Sequence, residues 1–176
     1  THPLAKQAAE SMEPTSTLTT YSEVYATDIA EGNYPYAIYR WKKLGIKEDF
    51  TFQLVCNDEK MGDRILSLLE LAAPVKNSDT VSKSIEESLE RRHYEQWNNA
   101  RAAHIEQINQ YSSAKLHSLE ASHAARLALL EDQRDNATHV NISRMRQGQI
   151  DAAIREFEIR ERELINAKLR ADIVAE

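Results

Sequence analysis

Between Val81 and Gln147 neither glycine nor proline interrupts the chain, and the hydrophobic positions recur at one interval. Trp97, Ile108, Leu119 and Leu130 stand eleven apart, and so do Tyr94, Ile105, Leu116 and Leu127. An eleven-residue interval corresponds to about 3.67 residues per turn, so this pattern predicts one long helix with a nearly straight apolar seam. The next step of each series falls on Thr138 and Asn141, where the seam stops. The stretch "RDNATHVN" is therefore read as a turn, with Asn136 in a left-handed C-cap conformation and Thr138 capping the following helix. A second stripe follows, made of Ile142, Met145, Ile150, Ile154, Phe157, Leu164 and Ile165. The pairs Asp151–Arg155, Glu156–Arg160 and Glu158–Arg162 have acid before base at i, i+4 and support its wet side. Gly148 is its weak point, costing roughly 1 kcal/mol against alanine.

Neither narrow stripe can be buried alone, so the two helices are expected to fold back antiparallel. The first, on the order of 80 Å long at 1.5 Å per residue, outruns the second. Its base must then pack on another surface.

That surface is expected from the first third, where the period changes from helical to two. "TLTTYSEVYA" alternates and is rich in β-branched residues, predicting a strand. Asp28 to Asn33 provides turn chemistry, with Gly32 free to take positive φ. In "YPYAIYRWKKLGI", Tyr34, Tyr36, Ile38, Arg40 and Lys42 would share one face, and Ala37, Tyr39 and Trp41 the other. Pro35 lacks an N–H and belongs at a strand start or edge. Gly45 to Asp49 turns the chain into "FTFQLVC", which completes a three-strand antiparallel meander. "NDEKMGDRILSLLELAAP" follows as a lid helix, capped by Asn57 or Asp58, buried along Met61, Ile65, Leu68, Leu69 and Ala72, and ended by Pro74. The opening "HPLAKQAAESMEP" reads as a short helix. The fold class expected is α+β: a small antiparallel sheet with covering helices over residues 1–76, then a long helical hairpin, a coiled coil, over 77–176.

Composition narrows what such an architecture can do. A net charge of −6 argues against a dedicated duplex-binding module, whose footprint is normally basic. The lone Cys56 leaves no internal disulfide and no cysteine-rich zinc site, and suits a reducing, cytoplasmic setting. No apolar run approaches the roughly 20 residues needed to span a bilayer, and no signal-peptide pattern is recognised, so no membrane contact is expected. The sequons Asn136-Ala-Thr138 and Asn141-Ile-Ser143 are then read as accidental.

Chemistry-bearing motifs are scarce. Gly32, Gly45, Gly62 and Gly148 are too scattered for a phosphate loop, so no nucleotide cofactor is expected in this segment. A helical zinc pair beginning at His104 would need its second histidine at Ile108, and the match fails. No nucleophile elbow occurs, and no catalytic or metal-binding residue is assigned. The one ligand-facing feature is "YRWKK". Arg40, Lys42, Lys43 and Lys47 could meet phosphates while an aromatic ring meets a base. The preferred reading packs the aromatics in the sheet and lets the cations extend from its ends.

The order of elements resembles a known family. An opening "HPL", then "YPYAIYRW", the helix after "DEKMGDRILSLL", a long hairpin and a closing "LRADIV" follow the C-terminal region of bacterial Swi/Snf-type helicases of the RapA/HepA kind. The resemblance implies an accessory, partner-binding domain of an ATP-dependent motor. ATP and Mg would then be bound upstream, in two RecA-like lobes, and no catalytic residue carries over to this chain. It further implies contacts with those lobes, a protein partner such as RNA polymerase, and only indirect contact with DNA. "ADIVAE" would begin a final strand. Two alternatives stand beside it: a free-standing coiled-coil scaffold that dimerises through its long helix, and a weak single-strand nucleic-acid-binding module.

Overall fold

The computed structural model describes residues 7, 20–27, 29–70, 72, 76–77 and 81–175. Among them the chain forms β1 (Thr20–Tyr21), β2 (Tyr36–Leu44), β3 (Asp49–Cys56), α1 (Glu59–Leu69), β4 (Lys76–Asn77), α2 (Lys83–Asp135), α3 (Val140–Leu169) and β5 (Asp172–Ala175). The class is α+β, with a small three-stranded antiparallel sheet and long helices. The expected opening helix lies outside the described residues, apart from Gln7, which is helical.

The sheet runs β3-β2-β5. Its heart is the β2–β3 hairpin, in register from Tyr36 opposite Cys56 to Lys43 opposite Asp49. Pro35 precedes the first β2 residue, so its missing N–H falls outside the ladder of a central strand. The meander expected from "TLTTYSEVYA" is not formed. Among its described residues, 20–26, that stretch contributes the strand Thr20–Tyr21, which pairs with β4 in a separate two-stranded sheet, and β5 takes the place beside β2. Burial explains the exchange. Tyr25 is 94% exposed, whereas Ile173 of β5 is 1% exposed, so pairing β5 beside β2 removes from water an apolar side chain with a larger buried share than Tyr25 offers. The bend before β2 needs no left-handed glycine, since no described glycine has positive φ. It is tied instead by the Tyr34 hydroxyl, which donates to the Ala30 carbonyl at 2.7 Å.

Two compact units divide the described chain. In the first, α1 lies over one end of the sheet. Met61 and Ile65 pack with Cys56, and Tyr34, Tyr36, Leu54, Leu68 and Leu69 close around them. The helix begins directly after Asp58, as the capping pattern predicts, but ends at Leu69, short of Ala72. The α2 residues 83–101 cover the opposite sheet face. Leu89 is buried, Gln53 donates to Gln96 at 3.2 Å, and the Trp97 indole N–H donates to the Ile173 carbonyl at 2.8 Å.

The second unit is the helical hairpin together with residues 44–48. Its partners move in opposite directions along the two helices, which makes it antiparallel. Lys168 donates to Ser113, Arg126 to Glu156 and Arg134 to Gln147, while His123 stacks on Phe157 with 4.3 Å between ring centres. Leu130, Ile150 and Ala153 form the buried centre near the turn. The turn itself departs from expectation. No described non-glycine residue has positive φ, and the Asn136 N–H still bonds to the Asp132 carbonyl, so Asn136 is not left-handed. The α3 N-cap is His139, at φ −118° and ψ 133°, rather than Thr138.

The α3 stripe is also shifted. Ile142, Met145, Ile154 and Ile165 are exposed, while Ile150, Ala153, Phe157, Leu164 and Ala167 face inward. Glu156 meets Arg126 across the hairpin, with Arg160 acting on it only at longer range, and its carboxyl is held below the usual carboxylate range mainly by the Arg126 hydrogen bond.

Candidate functional site

Strand alternation decides the fate of "YRWKK". Tyr39 and Trp41 point to the face covered by α2, where His93 receives them. The Tyr39 and His93 rings stack 3.5 Å apart at 8°, and the Trp41 indole N–H donates to His93 Nε2 at 2.9 Å. Accepting at Nε2 requires a neutral ring with its proton on Nδ1. Burial accordingly lowers the His93 pKa, and it raises that of the Tyr39 hydroxyl, with a smaller push from Glu90. With Trp41 only 4% exposed, the aromatic half of the motif is packing, as preferred from the sequence.

The cationic half is split. Arg40 and Lys42 lie on the other face and converge on one ring: the Arg40 guanidinium carbon is 5.3 Å and Lys42 Nζ 5.7 Å from the centre of Phe50. Lys43 alternates to the opposite face, where the register sets it across from Asp49. Lys47 belongs to the segment 44–48 of the second unit and is exposed. Of the four candidates, two are brought together. Phe50 and Phe52, read from sequence only as strand alternation, complete that pair. The signal that could have found them was the hairpin register, which sets Arg40 opposite Phe52 and Lys42 opposite Phe50.

Residues 44–48 are held by helix side chains of their own unit. His104 Nε2–H donates to the Leu44 carbonyl at 2.8 Å, and Arg170 donates to the carbonyls of Gly45 and Ile46. A side chain at Gly45 would sit 3.0 Å from Ile108 Cδ1 and 3.1 Å from its Cγ1, so glycine permits the close approach here. His104 thus donates where His93 accepts, and each histidine has a definite protein partner.

One open depression of about 650 Å³ lies at the end of β3, lined by Asn33, Tyr34, Pro35, Cys56, Asn57, Asp58 and Arg92. Its polar rim is largely engaged in holding the fold: Ser88 donates to Asn57 at 3.0 Å and Arg92 to the Cys56 carbonyl at 3.3 Å. Among the described residues no cluster of three His, Cys, Asp or Glu side chains is arranged to hold a metal, and no helix is long and apolar enough to cross a membrane.

Comparison with known protein families, curated proteins and solved structures returns no match for this chain.

Proposed function

We propose that this chain is a non-catalytic accessory domain of an ATP-dependent Swi/Snf-type helicase or nucleic-acid translocase, of the kind associated with RNA polymerase. The hairpin is its partner-binding arm, and the motor lobes, with their ATP and Mg, belong to the same parent chain. The helicase assignment rests on the resemblance in element order and in the fragments "HPL", "YPYAIYRW" and "LRADIV". The arm role is carried by one observation: apolar side chains left outside the hairpin seam. Ile154, Ile165 and Leu169, at steps of eleven and four, share one side of α3 and are 38%, 42% and 81% exposed. Apolar side chains aligned outside a packed seam are a ready surface for a further protein.

The test has two readouts. The open reading frame should encode helicase motifs in frame ahead of Thr1, and a frame without them overturns the helicase assignment. In the parent protein, replacing Ile154, Ile165 and Leu169 with Ser should leave ATP hydrolysis intact and weaken polymerase co-sedimentation by about tenfold. Unchanged co-sedimentation removes the arm role. Hydrolysis of ATP by the pure isolated chain overturns its non-catalytic assignment.

A further inference from the structure

The second unit, residues 44–48 and 102–172, is described without a gap, and one feature of its surface has no use within the hairpin. Steps of four and three from Arg144 to Leu169 trace a line along the outer side of α3, and every position on it is exposed. The middle of the line is charged. Among the described residues, Arg155, Glu158 and Arg162 take part in no hydrogen bond or ion pair, and Asp151 accepts only from Gln147, at 2.9 Å. The i, i+4 pairs expected at Asp151–Arg155 and Glu158–Arg162 are thus not made. The ends of the line differ in size. No atom outside the local helix lies within 4 Å of where a Cβ on Gly148 would stand, so nothing in this unit requires a residue that costs helix stability. Toward the other end, Ile165 and Leu169 are 42% and 81% exposed.

Read backwards, this line is its own complement. Let a second copy lie antiparallel against it, with the two-fold axis between Glu156 and Phe157. Asp151 then faces Arg162 of the second copy, and Arg155 faces its Glu158, each pair occurring twice by symmetry. In the same register Gly148 leaves room for Ile165 of the second copy, and the Arg144 stem lies along its Leu169. A parallel copy would set every charge against its like. An antiparallel copy moved by one heptad sets Arg144 against Arg162 in one direction, and Asp151 against Leu169 in the other. From this match of charge and shape we infer that the outer side of α3 is a homodimer surface, taken by a second copy of this chain in that antiparallel register. The inference takes up the reading of this side as a protein-binding surface and names a second copy as its occupant. Surface ion pairs are individually weak, so the dimer is reversible and salt-sensitive.

Sedimentation equilibrium of the full chain is the test. Wild type should pass from monomer to dimer over about a hundredfold range of concentration. At about 1 M salt, where charges are screened beyond roughly 3 Å, the dimer should weaken severalfold. Arg155→Glu with Arg162→Glu should weaken it at least about tenfold, because every ionic contact becomes a like-charge one. Asp151→Arg with Glu158→Arg should do the same. All four sites are exposed, so circular dichroism should show both variants folded. An equimolar mixture of the two restores opposite charges at every contact, and should form a mixed dimer within about threefold of the wild-type affinity. Both variants keep a negative net charge, so overall attraction does not drive their pairing. Gly148→Leu places a good helix former in open space, and should keep the fold while weakening the dimer at least about tenfold. The inference is overturned by a wild type that is monomeric at every concentration, or by a mixture no tighter than its parts. It is equally overturned if the charge variants or Gly148→Leu dimerise within about twofold of wild type. The two readings of this side fail separately. A monomeric wild type leaves the polymerase contact standing, whereas unchanged co-sedimentation after Ile154, Ile165 and Leu169 are replaced with Ser removes that contact and leaves the dimer.

Discussion

The two helices of the hairpin bury themselves by different rules. On α2 the covered positions include Ser112, Leu116, Leu119, His123, Leu127, Leu130 and Arg134, a set that repeats at eleven, as the apolar letters of the sequence do. On α3 the covered positions Ser143, Ile150, Phe157 and Leu164 repeat at seven, and only part of the apolar letters follow them. Ile142, Met145, Ile154, Ile159 and Ile165 all remain exposed. Meanwhile Ala153 is 1% and Ala167 3% exposed, and Ser112 on α2 is fully buried. Where two helices approach closely, small side chains such as Ala153, Ala167 and Ser112 are buried in the seam, Ile150 is buried with them, and apolar residues off that line stay outside it. A hydrophobic stripe reports burial only when its period is sustained, and six turns of α2 sustain it better than the scattered isoleucines of α3.

The sharpest way to break this comparison is at Ile150, which is 4% exposed in the cluster with Leu130 and Ala153. Ile150→Ala should destabilise the hairpin by about 3 kcal/mol, the sum of lost burial and a cavity that the buried neighbours cannot fill. Urea denaturation followed by circular dichroism measures it. A loss below about 1 kcal/mol would mean that the seven-residue seam is not the one that holds the two helices.

The same question can be put to α2 at a covered residue that is polar. His93 is packed by Tyr39 and accepts the Trp41 indole N–H, so it must stay neutral. Its folded pKa lies below its unfolded value because burial disfavours the charged ring. In this window the unfolded chain binds more protons, so stability falls as pH drops below about 6.5 and levels off below the folded pKa. His93→Phe keeps a ring against Tyr39 but leaves the buried Trp41 donor without its acceptor, and should cost roughly 1–2 kcal/mol at neutral pH. Thermal melts at pH 8 and pH 5 should then show a smaller acid-induced loss in the variant than in wild type. An equal loss would show that other groups carry the acid sensitivity.

Much of this fold was legible before the structure. Alternation gave β2 and β3, the lid helix was marked by Asp58 and the Met61–Ile65 face, and the eleven-residue period gave α2. What escaped reading depends on contacts distant in sequence. "DIVA" is four residues long, and nothing local says that it displaces the earlier β-rich stretch beside β2. Nothing local to His93 marks its role, because its partners lie 52 residues away at Trp41 and on the same strand at Tyr39. The candidate patch was half visible. The cations stood out in "YRWKK", whereas Phe50 and Phe52 joined them only once the register paired the strands.

The smallest expected effect is the most telling. Ile159 sits on α3 nine residues after Ile150, is the same residue type, and is 58% exposed against 4%. The substitution Ile159→Ala removes the same atoms as Ile150→Ala. Here most of those atoms already face water, and alanine restores some of the helix propensity that a β-branched residue gives up. The two terms nearly cancel, so the change in stability should stay within about 0.5 kcal/mol. Measured under the same denaturation conditions, the pair isolates position along the seam from chemistry. A cost at Ile159 approaching that at Ile150 would mean this side of α3 is covered in solution. Sedimentation at several concentrations would then tell whether a second copy supplies the cover. A near-zero cost at Ile159 beside a large one at Ile150 would establish that α3 is buried by the place of its residues and not by their hydrophobicity.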